Sequence, residues 1–132
     1  MDGTIETASF DRKLAGYWVF TGLFAAAMLA GGLGNLTRAE SMAAEIVGLG
    51  YPAYLMTILG VAKLSGALTI LAPGLPRLKE WAYAGFTFDL LGAAASHAIV
   101  GDPIFATVKP LVVLGLAGAS YALAPASRRL SG

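Results

Sequence analysis

Four runs of apolar residues, each long enough to cross a bilayer, dominate this chain of 132 residues. A membrane-spanning helix needs about 20 such residues to cover roughly 30 Å of hydrocarbon. The runs fall at about Ala15–Gly34, Tyr51–Leu71, Glu80–Val100 and Phe105–Ala124. Only termini and short loops remain, with no repeat or linker, so one domain over residues 1–132 is expected. Composition closes off the soluble alternative. Charged residues make up 13% of the chain, against about 25% in an ordinary soluble domain, and the mean hydropathy is +0.71. A soluble fold this small has too much surface for so few charges. A net charge of +1 offers no basic patch for phosphates, which excludes a nucleic-acid binder. The lack of cysteine excludes Fe–S clusters and thiolate metal sites. The fold class that remains is all-α, an integral membrane four-helix bundle.

The flanks of the runs agree with this reading. Tyr17 and Trp18 open the first, Tyr51 and Tyr54 the second, Trp81 and Tyr83 the third, and Tyr121 closes the fourth; such rings sit well at headgroup level. Pro73, Pro76, Pro103 and Pro125 lie between or beyond the runs, and Pro52 suits a first helical turn. Pro110 should bend the fourth helix or mark its true start. Arg12, Lys13, Arg77, Lys79, Arg128 and Arg129 collect on one side of the membrane, and only Arg38 and Lys109 on the other. This bias places both termini in the cytoplasm. The first run is long for a cleaved signal and reads as a retained helix. After it, Thr37 and Glu40 have capping-box spacing. Met42, Ile46 and Leu49 follow on one helical face, with Gly48 and Gly50 to end it. A short amphipathic helix is therefore expected between helices 1 and 2, either as a lid over the bundle or as a plain connector.

Ionisable groups inside hydrocarbon each require an explanation. Lys63 and Asp89 lie well within the second and third runs. Counting from Tyr51, Lys63 is about 18 Å deep, and counting from Glu80, Asp89 is about 13–14 Å from the opposite face. Across a core of about 30 Å these depths meet within a helical turn, which predicts a Lys63–Asp89 pair facing the bundle interior. The pair either locks two helices in register or lines a polar pocket where Lys63 binds a carbonyl or the pair relays a proton. His97, the single histidine, lies near the outer interface beside Ser96 and close to Asp102. It is either simply solvated or a proton carrier, and Asn35 and Glu40 are candidates to join it around an outward-facing cavity. Gly60, Gly66, Gly85, Gly92, Gly115 and Gly118 mark where helices can approach closely, mostly as internal packing, with a homodimer interface left open.

The stretches Gly48-Leu-Gly-Tyr-Pro52, Gly60-Val-Ala-Lys-Leu-Ser-Gly66, Leu78-Lys-Glu-Trp-Ala-Tyr-Ala-Gly-Phe86 and Asp89-Leu-Leu-Gly-Ala93, with Pro73, Ser96-His97 and Gly101-Asp102, resemble the DoxX-like family of small bacterial membrane proteins. Gly31-Gly-Leu-Gly-Asn-Leu-Thr37 looks like that family's first-helix ending, although a Lys often stands at the place of Asn35. The resemblance covers roughly residues 16–124. It implies a four-helix bundle in the bacterial cytoplasmic membrane and carries over Lys63, Glu80, Trp81, Asp89, Ser96 and His97 as candidate site residues. Two roles follow as expectations. One is a redox-linked subunit binding a small lipophile such as a quinone. The other is an accessory or assembly factor docking on a partner membrane protein, with the Lys63–Asp89 pair purely structural.

Overall fold

Long apolar stretches without internal turn signals form helices because each backbone polar group is then satisfied within its own segment. The computed structural model describes residues 2–129, and side chains from Arg12 onward. Its elements are α1 (Asp2–Leu36), α2 (Glu40–Gly48), α3 (Leu55–Leu71), α4 (Pro76–Val100), α5 (Ile104–Leu123) and a short 3₁₀ turn, η1 (Ala126–Arg128). There is no strand among the described residues. α1 packs against α3 and α5, and α4 packs against α5 and α3, while the short α2 lies against α1 and α3 and reaches α4 through Glu45 and His97. Two helical segments, Arg12–Leu36 and Ile104–Leu123, are long and apolar enough to cross a membrane, and Leu55–Leu71 is apolar but shorter.

Several boundaries differ from expectation. α1 begins at Asp2 rather than near Ala15, because a helix can continue through polar residues that hydropathy does not register. α3 starts at Leu55. Tyr51–Tyr54 instead form a turn in which Leu55, Met56 and Thr57 donate to the carbonyls of Pro52, Ala53 and Tyr54. α4 starts earlier than expected, with Pro76 in its first turn, where a missing N–H costs nothing. α5 begins at Ile104 and runs through Pro110.

The core is an apolar layer of Phe24, Met28, Ala67, Ile70, Phe86, Leu90 and Ala117, with Phe24 and Phe86 edge-to-face at 5.0 Å between ring centres. Two glycines earn their places by close approach. A methyl group on Gly60 would meet Leu36 and the Gly32 carbonyl within 3.0 Å, and one on Gly66 would meet the Phe86 ring at 2.7 Å. Gly85, Gly92, Gly115 and Gly118 behave otherwise: nothing lies within 4 Å of their missing side chains. The expectation that they serve internal packing is corrected, since their faces point away from neighbouring helices.

Three helices end alike at one end of the assembly. In α4, Asp102 N–H donates to His97 C=O and Gly101 N–H to Ala98 C=O, with Gly101 left-handed at φ 78°. This is the glycine-capped helix ending that satisfies the last carbonyls. α2 repeats it through Gly50 and Tyr51, and α1 through Arg38 and Ala39, with Arg38 itself at φ 54°. The capping box expected at Thr37 and Glu40 does not form. Thr37 Oγ1 donates back to the Leu33 carbonyl at 2.8 Å, and α2 has Ala39 at its N-cap without a side-chain bond.

Candidate functional site

All the predicted site residues but Glu40 and Trp81 fall into three groups along the helix axes. The middle group is Lys63, Asn35 and Asp89. Lys63 Nζ donates to Asn35 Oδ1 at 3.1 Å, and its stem passes Gly31 and Gly32, whose missing side chains leave room for it. Asp89 is half-buried and within Coulombic reach of Lys63. The expected Lys63–Asp89 contact is nevertheless absent: the ion pairs found among the described residues all involve His97. Axial offset explains this. Lys63 is about 12 Å from the Leu71 end of α3, whereas Asp89 is about 20 Å from the Pro76 end of α4 at 1.5 Å per residue. The two differ by more than a turn, and the flexible lysine reaches Asn35 instead. The interior beside them is filled by the apolar layer, so Asp89 sits on a flank rather than in a central pocket.

The second group is built on the glycine-capped ends. His97 is 6% exposed. Its Nδ1 lies 2.7 Å from Asp102 Oδ2 and its Nε2 lies 2.9 Å from Glu45 Oε1. The α4 cap turns the chain so that Asp102 faces back onto the ring five residues earlier, and α2 delivers Glu45 from above. With a carboxylate at each nitrogen, the ring satisfies both only when both nitrogens carry protons. Beside it Tyr51 donates to Ser96 Oγ at 2.6 Å, while Ser96 donates to the Gly92 carbonyl. Glu40 and Asn35 do not join His97, which corrects the expected constellation. Glu45, on the same short helix, takes the carboxylate role. No set of three or more His, Asp or Glu residues among those described is placed to hold a metal.

The third group lies at the opposite end and was not anticipated as a unit. Arg128 Nε donates to Tyr17 Oη at 2.8 Å, and Nη2 donates to the carbonyls of Ile70, Leu71 and Ala72 at 2.8–3.0 Å. Its guanidinium also stacks 4.9 Å from the Trp18 ring centre, a favourable cation–π distance. Lys79 bonds the carbonyls of Ala72 and Gly74, holding the turn in which Leu75 is left-handed at φ 55°. Burial, then the nearby Arg128 charge, pulls the Lys79 ammonium below the usual lysine value. Glu80 accepts from Tyr121 Oη at 2.8 Å, and a buried hydroxyl cluster joins Thr21, Ser120 and Tyr83 at 2.5–2.7 Å. The cavity here is only about 10 Å³, room for about one water. Trp81, 69% exposed, belongs to none of the three groups.

The profile of the DoxX-like family matches residues 19–120. The chain belongs to the DoxX-like family. That match covers the first two groups of this DoxX-like chain completely and stops short of Arg128 and Arg129. No curated protein and no solved structure matches the chain.

Proposed function

We propose that this DoxX-like chain is a multi-pass membrane protein whose four long helices form a bundle across the bacterial cytoplasmic membrane. It binds a small lipophile of the quinone class at the Asn35–Lys63–Asp89 group, as a redox-linked subunit. Family membership, two helices of spanning length and outward side chains such as Val19, Phe88 and Val112 support the membrane reading. The Lys and Arg bias supports cytoplasmic termini. The binding reading is carried by Asp89, a half-buried carboxylate that no hydrogen bond or ion pair engages among the described residues. Such a group in hydrocarbon costs several kcal/mol unless a partner satisfies it. The quinol form satisfies it by donating a ring hydroxyl to Asp89, while Lys63 donates to the other ring oxygen in either redox state. The filled interior directs the ligand along the α4 flank.

Native mass spectrometry of gently extracted protein tests this. A stoichiometric adduct of small-molecule mass is expected in the wild type and absent in Asp89→Leu. A bare chain, or an adduct indifferent to that substitution, overturns the binding reading. A second reading, docking on a partner membrane protein, is favoured by the open faces at Gly85, Gly92, Gly115 and Gly118, since small residues let helix backbones approach. A stoichiometric second polypeptide in the same spectrum would support it.

A further inference from the structure

Beyond the family-matched stretch lies a groove of about 260 Å³ between α1 and the corner where α5 passes into η1. Its walls include Lys13 and Arg129, its floor Leu14, Leu123 and Pro125, and no carboxylate among the described residues lines it. Arg129 donates through Nε to the Ala124 carbonyl at 2.6 Å and through Nη2 to the Ala122 carbonyl at 2.5 Å. These bonds cover the last carbonyls of α5, whose partial negative charge would otherwise repel an anion. The groove therefore combines two cationic walls, an apolar floor and a helix end whose negative pole is neutralised. Its volume falls just below the roughly 300–1,000 Å³ of pockets that engulf a drug-sized ligand, so it suits a headgroup and not a whole lipid.

We propose that this groove seats the phosphate headgroup of an anionic phospholipid, between Lys13 and Arg129, with the acyl chains left in the bilayer beyond Leu14 and Leu123. The assignment rests on the membrane reading above and is independent of the quinone-class ligand. A zwitterionic lipid is a poorer occupant, because its own cation meets the same two walls. Lys13 is the residue to test, since Arg129 also serves as a helix cap.

The experiment measures the unfolding temperature of the full chain in detergent, titrated with phosphatidylglycerol or with phosphatidylcholine of identical acyl chains. Phosphatidylglycerol is expected to raise the unfolding temperature more. Its half-saturating concentration should rise about fivefold in Lys13→Gln, the ratio for about 1 kcal/mol per basic residue near an anionic lipid surface. Arg77→Gln, an exposed cation of the same end outside the groove, should leave it unchanged. Equal stabilisation by the two lipids overturns the proposal, as does an equal loss in both variants, which would mean a diffuse ring of charge. Equal stabilisation by glycerol phosphate without acyl chains would replace the lipid by a free anion. A chain that remains in aqueous solution without detergent would instead sink the membrane reading, a separate and recognisable failure.

Discussion

At one end of the helix assembly Arg128 gathers Tyr17 and three successive carbonyls at the end of α3. At the other, His97 bridges Glu45 of α2 and Asp102 beyond α4. Both arrangements tie helix ends together through one planar cation, yet they differ in permanence. A guanidinium keeps its charge at any pH a protein meets, and its acceptors are backbone groups that cannot titrate. An imidazolium keeps both donors only while both nitrogens hold protons, and its partners are carboxylates exposed to 54% and 39%. One end is a fixed clamp, and the other holds α2 conditionally. The difference matters because α2 has no buried residue of its own and depends on such bonds for its position.

The comparison breaks most readily at the clamp. Arg128→Ala leaves the fully buried Tyr17 and the Ile70 and Leu71 carbonyls without their donor, Ala72 keeping Lys79, and should cost about 3 kcal/mol of stability. Chemical unfolding in detergent would read this, and Arg128→Lys should restore only part because an ammonium lacks the planar fork. A wild-type midpoint for Arg128→Ala would mean that solvent replaces the clamp. Ser120→Ala comes next: it strips the shared partner from Thr21 and Tyr83, and a loss of about 1–2 kcal/mol is expected in the same assay. The smallest global effect belongs to His97→Ala, about 1 kcal/mol or less, because both carboxylates can rehydrate. Its signature is local. Amide exchange over residues 40–48 should quicken while the Arg128 end stays protected. In the wild type the same segment should loosen as pH rises through the imidazole titration, since a neutral ring donates from one nitrogen only. Uniform exchange across both ends would show that α2 is not held by His97.

The helices were readable from the sequence because hydropathy reports burial in any apolar medium. Their exact faces were not. Gly85 and Gly92 lie one heptad apart and share a face, but a helix apolar all round does not mark which side meets protein. The Lys63–Asp89 depth comparison assumed that the third run starts at Glu80; the extra turn from Pro76 carries Asp89 about 6 Å further from that end, while Lys63 keeps its distance from Leu71. Asp102 was visible beside His97 because the glycine cap acts over five residues. Glu45 was not, because 52 residues separate it from His97 and no local spacing encodes such a pairing. The Arg128 clamp was hidden for a similar reason: in the sequence it is only one of six cations that set orientation.

The layer of Phe24, Met28, Phe86 and Leu90 between the two polar ends has an electrical meaning. A proton hop needs consecutive donors and acceptors, and this layer supplies none along the axis. Among the described residues no hydrogen-bonded relay therefore joins the His97–Glu45–Asp102 end to the Glu80–Tyr121 end.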